Sequence, residues 1–185
     1  MIRGDSSEYE LLEKWTKDFD CDGHYTCEIG VREGLGSKII MDNVHNNYLH
    51  IGIDPYANLK YQHYDTSPSY TADYTDEMRD TMLTDFREYR NQGKFRLANM
   101  TDHLFMSNPE HQDMTFALVH FDGPHMSKDV MTEAIWFANR SAPNTRFVFD
   151  DHKKYEMSVI AYALTLYDFK TVEMGDNKCL LEKKQ

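Results

Sequence analysis

The run Tyr25-Thr26-Cys27-Glu28-Ile29-Gly30-Val31-Arg32-Glu33-Gly34-Leu35-Gly36-Ser37, with Ile51-Gly52-Ile53-Asp54-Pro55-Tyr56 after it, decides how the chain folds. An apolar strand leads to Glu28, a turn carries Gly30, Gly34 and Gly36, and a second strand ends at Asp54. This is the layout of a nucleotide pocket. An acid at the end of the second strand, about 20 residues after the first glycine, can accept the hydroxyl protons of a ribose, and glycines let a ligand lie against bare backbone.

The spacing also says which nucleotide. A dinucleotide pocket wants G-x-G-x-x-G, so that a pyrophosphate rests on the following helix N-terminus; the segment Gly30 to Gly36 does not fit it. Glu28 and Glu33 would set carboxylates beside that pyrophosphate, with only Arg32 to offset them, and like charges at close range are costly in a partly dry pocket. A ribose ligand with a cationic centre suits these residues better. S-adenosylmethionine, with its sulfonium and amino groups, is the common one.

Working outward, Ser6 or Ser7 followed by Glu8 to Lys17 reads as a capped helix, with Tyr9, Leu12 and Trp15 at helical spacing. Strands are expected at Tyr25 to Ile29, Tyr48 to Ile53, Phe95 to Asn99, Phe116 to Phe121 and Arg146 to Asp150. Helices are expected at Gly36 to Asn43, Lys128 to Asn139 and Tyr155 to Leu166, with a helical turn near Asp102 to Phe105. Such alternation implies a parallel sheet with helices on both faces. Phe169 to Met174 and Lys178 to Leu181 are joined by Gly175-Asp176-Asn177, which suits a hairpin and is too short for a helical crossover. The last strand should therefore be antiparallel.

Between Tyr56 and Lys94 lies a longer crossover rich in tyrosine: Tyr56, Tyr61, Tyr64, Tyr70 and Tyr74. Thr75 to Arg90 reads as a helix whose Met78, Met82, Phe86 and Tyr89 cover the sheet. The loop before it is placed to roof a cofactor or cradle an acceptor. One domain over residues 1–185 is expected, with 1–24 a helical lead-in and 56–94 an insert.

Three runs, Glu28 to Ser37, Ile51 to Tyr56 and Val119-His120-Phe121-Asp122-Gly123-Pro124-His125, resemble the class I S-adenosylmethionine-dependent methyltransferases. They are most similar to the branch that methylates hydroxyls of small molecules and sugars. Phe147-Val148-Phe149-Asp150-Asp151 fits the same branch, and the resemblance spans roughly residues 25–182. It implies an α/β, doubly wound, mostly parallel seven-stranded sheet with an antiparallel C-terminal strand, the Rossmann-like methyltransferase fold. It implies that Glu28, Gly30, Val31, Gly34, Gly36 and Ser37 hold the methionine end and that Asp54 and Pro55 hold the ribose. Met100 and Thr101 would lie beside the adenine, and Asp122 also touches the cofactor. The relatives usually carry Pro-Gly-Gly where this chain has Pro143-Asn144-Thr145; Asn tolerates the left-handed turn required there.

In an open parallel sheet, ligands bind beyond the carboxyl ends of the strands. If the strands ending at Asp122 and Asp150 are neighbours, about 4.8 Å apart, then Asp122, Asp150 and Asp151 converge and repel one another unless protons or a cation intervene. Mg²⁺ is the economical hard cation, and the resemblance implies a divalent ion at the same positions. The alternative is that the acids bond loop backbone and acceptor. Consecutive strand residues point to opposite faces, so Asp150 and Asp151 reach one ion only if the strand has already ended. His125 is a candidate base or a residue positioning Asp122, and His152 is a second candidate base. His45, His63 and His111 read as having no chemical role.

The formal net charge of −11 argues against a sequence-independent grip on nucleic acid, which needs basic stripes. Cys21, Cys27 and Cys179 form no C-x-x-C pair, so neither a disulfide framework nor a zinc site is read from cysteine. With no run near the roughly 20 apolar residues of a membrane span and no secretion-signal core, a cytoplasmic protein is expected, and a homo-oligomer is compatible with it. The expected partner is a small acceptor bearing a hydroxyl. Two rival readings are a metal-dependent phosphoester hydrolase using the acid cluster and a non-catalytic module that binds the methyl donor.

Overall fold

The computed structural model describes residues 2–4, 6–57 and 59–184. A short helix, α1 (Tyr9–Thr16), precedes β1 (Tyr25–Ile29), α2 (Leu35–Asn43) and β2 (His50–Ile53). The insert carries a small antiparallel pair, β3 (Lys60–Tyr61) and β4 (Tyr70–Thr71), then α3 (Asp76–Asp85) and α4 (Arg87–Asn91). There follow β5 (Phe95–Ala98), α5 (Asp102–Ser107), β6 (Phe116–Phe121), α6 (Ser127–Ala138), β7 (Ser141–Phe149), α7 (Met157–Leu164), β8 (Phe169–Met174) and β9 (Cys179–Lys183).

The main sheet has seven strands in the order β5-β2-β1-β6-β7-β9-β8. The first five run parallel, and β9 is antiparallel to both β7 and β8. Connections move outward from β1 in one direction and then in the other, so the order reverses between β1 and β6, the place where open α/β sheets bind ligands. The register fixes what lies there. Ile53, Ile29, Phe121 and Phe149 pair across one row, so the residues after them, Asp54, Gly30, Asp122 and Asp150, form the rim.

Alternation along the strands divides the interior. Cys27, Ile29, Val119, Phe121, Phe147 and Phe149 pack on one face beneath α6 and α7. On the other face Leu118, Val148 and Leu180 meet Leu12 and Trp15 of α1 and Ile40 of α2. That second face also buries Thr26, Glu28, His50 and His120.

Several expected elements differ in detail. The helix expected over Thr75 to Arg90 is broken at Phe86, whose fully buried ring packs with Met82 and Phe95 and lies against the Gly34 turn. The Met-Phe stripe does cover the sheet edge, and Thr75 caps α3 by accepting from Met78 N at 3.0 Å. Strand β7 begins at Ser141 rather than Arg146, because Asn144 takes a left-handed bulge (φ 63°) that lets pairing continue across a register shift. The serine cap expected for α1 is not made. Glu8 stands at that position, and its carboxylate accepts the backbone N–H groups of Asp176, Asn177 and Lys178 at 2.8, 2.7 and 2.9 Å. Ser6 is thereby carried onto the sheet rim. No helix among the described residues is long and apolar enough to cross a membrane.

Candidate active site

Two adjoining cavities open at the rim. One, of about 310 Å³, is largely apolar and lies between Ile29, Ile53 and Pro55 on the sheet side and Tyr61, Ala72 and Tyr74 of the insert. The other, of about 280 Å³, is polar and is lined by Glu28, His63, Tyr64, His125, Asp150 and Asp151 among others. Gly30, Tyr74 and Asp122 border both. The tyrosine-rich insert thus roofs the first cavity and reaches the second.

Glycine at position 30 is dictated by sterics. Its φ is +82°, and a Cβ there would stand 2.1 Å from the carbonyl oxygen of Asp122, so β1 and β6 could not come together with any other residue. Gly36 is required for space, since a Cβ would fall 1.9 Å from Glu28 Oε1. Asp54 organises the turn between them. Its Oδ2 accepts from Val31 N at 3.0 Å and Arg32 N at 2.9 Å, and its Oδ1 accepts from Tyr56 N at 3.0 Å. Burial raises its pKa, although these three N–H groups pull it back. A carboxylate has about four acceptor positions, which leaves Oδ1 one lone pair at the wall of the apolar cavity.

The acids at the second cavity are neutralised from within the chain. Lys178, fully buried just before β9, donates to Asp150 Oδ1 at 2.6 Å and to Ser6 Oγ at 2.9 Å. Asn177 Nδ2 also donates to Asp150 Oδ1 at 2.7 Å, and Ser6 Oγ donates to Oδ2 at 2.7 Å. Burial alone would raise the Asp150 pKa, but the hydrogen bond from Asp122 and the ammonium of Lys178 outweigh it and hold Asp150 ionised. Burial and then the charge of Asp150 push Asp122 well above the usual carboxylate range, so the pair shares one proton on the Asp122 side. From Lys178 a buried polar chain runs on beneath the turn. His120 Nε2 lies 3.4 Å from Lys178 Nζ, His120 Nδ1 2.8 Å from Glu28 Oε1, Ser37 Oγ donates to Glu28 Oε2 at 2.5 Å, and His50 lies between Ser37 and Thr26.

The three acids expected to share a metal do not form one ligand set. Asp122 and Asp150 come within 4.8 Å of His125, whereas Asp151 does so with His63 and His125. Strand β7 has ended by Asp150 and Asp151 takes a left-handed φ of 49°, so the two carboxylates diverge around the turn. With Asp150 already holding an ammonium, an amide and a hydroxyl, these donors do not fit Mg²⁺, which needs an octahedral oxygen shell.

Among the residues expected to bind cofactor, Gly30, Asp54, Pro55, Thr101 and Asp122 line the apolar cavity, and Glu28, Gly30, Val31, Gly36 and Asp122 line the polar one. Gly34, Ser37 and Met100 line neither: Gly34 receives the ring of Phe86, Ser37 is bonded beneath Glu28, and Met100 packs on the core. His152 is turned away, with Nε2 3.1 Å from the Gly175 carbonyl, which removes the geometric case for it as a base. His125 is buried at the polar cavity, its ring stacked between Tyr64 and Tyr155. Burial and the neighbouring His63 bring its pKa down to about 4. His63, read from sequence as having no chemical role, is placed at the same cavity, its Nε2 3.4 Å from His125 Nδ1. Lys178 and Ser6 belong to no motif, and His120 lies inside the Val119 to His125 run without a role read for it; a lysine at the mouth of a hairpin opposite an acid pair is the one local signal for Lys178.

The switch point, the glycine turn and the acid-ended second strand define the chain as a class I S-adenosylmethionine-dependent methyltransferase. Residues 27–152 match the family model described as a methyltransferase domain, more than half of the chain, and the chain belongs to that family. Solved structures agree in fold. An O-methyltransferase from Bacillus cereus in complex with SAH has a TM-score of 0.63 at 10% identity, over 97% of this chain and 83% of that one. An rRNA methylase from Streptococcus thermophilus has a TM-score of 0.59 at 11% identity, over 100% and 99%. The N-methyltransferase NodS from Bradyrhizobium japonicum has 0.57 at 10%, over 95% and 92%. No curated protein matches the chain in sequence.

Proposed function

We propose that the chain transfers the methyl group of S-adenosylmethionine to a hydroxyl of a small molecule or sugar, with the adenosyl half in the apolar cavity and the acceptor in the polar one. The observation that carries this is the adjacency of the cavities, which meet at Gly30, Tyr74 and Asp122. When bound, the methyl donor supplies an electrophilic carbon on sulfonium. The chain supplies position and a proton acceptor. The free lone pair of Asp54 takes a ribose hydroxyl, and the Gly30 backbone allows close approach at the junction. Asp122, its one proton engaged with Asp150, stands at the border of the two cavities and helps keep the acceptor in line with the methyl group. His125 is neutral at physiological pH and its buried Nε2 has no hydrogen-bond partner among the described residues; it takes the hydroxyl proton, as the new bond forms, from an acceptor seated deep enough to reach it.

A cavity of about 280 Å³ suits a small acceptor, and the net charge of −11 opposes an RNA substrate. No step requires a metal, because Lys178 already offsets Asp150. The test is incubation with trideuteromethyl-labelled S-adenosylmethionine and a panel of sugars and phenols, their amine counterparts, and ribosomal RNA. Label on an oxygen of a small acceptor is expected. Label on amines or RNA alone contradicts the acceptor assignment.

A further inference from the structure

A second cluster lies beside the acid pair, where the insert meets the rim. His63 comes from the loop between β3 and β4, His125 from the loop after β6, and Asp151 from the turn after β7. His125 Nδ1 stands 3.4 Å from His63 Nε2 and 3.7 Å from Asp151 Oδ2, and one ligand atom from each residue lies within 4.8 Å of the others. Around a tetrahedral ion with bonds of roughly 2.0–2.2 Å, ligand atoms stand roughly 3.3–3.5 Å apart. Both distances from His125 are already near that spacing. Two imidazoles and one carboxylate select zinc and similar transition ions over Mg²⁺. Three protein ligands leave a fourth position, and all three residues line the polar cavity.

The backbone is built around the same contact. Tyr64 and His125 form an isolated parallel bridge, His125 N donates to the His63 carbonyl at 2.7 Å, and Tyr64 donates its hydroxyl proton to Asp151 Oδ2 at 2.5 Å. That last bond orients a ligating carboxylate, as metal sites require of their surroundings. His125 is buried, and its Nδ1 faces the other two residues.

The geometry points to His63, His125 and Asp151 as a binding site for a zinc-class divalent ion that clasps the tyrosine-rich insert onto the rim. An ion on Nδ1 of His125 places the ring proton on Nε2, the nitrogen offered above to the acceptor hydroxyl. Ion binding and proton acceptance at His125 therefore exclude each other. The site itself stands apart from the methyl-transfer reading, because uptake of the ion is measured with no donor or acceptor present.

The experiment is equilibrium dialysis of the full chain against Zn²⁺ with metal analysis, paired with Co²⁺ titration followed by visible absorption. One equivalent of Zn²⁺ and an intense tetrahedral Co²⁺ band are expected. Loss of an outer partner alone typically costs 10–100-fold in metal affinity, so His63→Ala and Asp151→Asn should each weaken uptake by about 100-fold or more. His63→Gln, closer in size, should weaken it as well if the Ala variant folds poorly. Zn²⁺ should slow proteolysis of the insert in the parent and not in His63→Gln. No uptake by the parent, equal uptake by a folded His63 variant, or uptake abolished by Asp122→Asn but not by His63→Gln would overturn the assignment.

Discussion

The two cavities sit side by side on one sheet rim and are built in opposite ways. The apolar one takes its floor from the ends of β1, β2, β5 and β6 and the residues that follow them, and its one buried acid, Asp54, bonds to backbone N–H groups. The polar one is assembled from the N-terminal segment, the turn after β1, the insert, the loops after β6 and β7 and the β8–β9 hairpin, held by side chains distant in sequence, such as Ser6 with Asp150 and Tyr64 with Asp151. Backbone geometry makes the first a general seat. Long-range side-chain pairing holds the second together.

Breaking the second region should cost most. Lys178→Met leaves Asp150 buried without its cation, and removing one partner of a buried pair costs about 3–5 kcal/mol; chemical denaturation should show this loss. An undiminished midpoint would mean that the ammonium is incidental. His125→Gln should lower kcat by on the order of 10²-fold while the dissociation constant of S-adenosylhomocysteine stays within about twofold of the parent's, since the base belongs to the polar cavity only. Weakening of both by one factor would show that the cavities are not separable.

A pH series sharpens the comparison from beneath the turn. Burial and nearby His120 hold His50 neutral, with its pKa down at about 3 from an ordinary 6.5. The unfolded chain binds that proton at higher pH than the folded one does. The stability carried by the neutral ring is therefore whole above pH 6.5 and is lost as pH falls toward 3. The margin of the parent over His50→Gln should narrow by on the order of 2 kcal/mol between about pH 6.5 and 5. A constant margin would place His50 outside the proton-linked chain.

The same contrast explains what could be read from sequence. The alternation of strands and helices, the antiparallel last strand, Gly30 and Asp54 follow from periodicity and from spacing within about thirty residues, and the register of the folded sheet then places Asp122 and Asp150 on the rim. His63, Lys178 and Ser6 were not legible, because nothing local sets their positions. Ser6 reads as a helix cap until Glu8 is seen to bind the 176–178 backbone and draw it away. His63 looks like a polar-loop residue until the β3–β4 pair folds it onto His125. That the three acids do not gather as one ligand set has a similar reason: acid spacing is visible in sequence, but the ammonium that answers Asp150 arrives from the far end of the chain.

The central claim is that Gly30 and Asp54, at the ends of the first two strands, build a seat for an adenosyl group in the apolar cavity. It is tested most directly by calorimetric titration of S-adenosylhomocysteine into the parent and into Asp54→Ala, with circular dichroism to establish that both are folded. The account predicts saturable one-to-one binding to the parent and a dissociation constant at least about tenfold higher for the variant, the equivalent of one charge-assisted hydrogen bond. Equal affinities, or no binding by the folded parent at millimolar ligand, would contradict it.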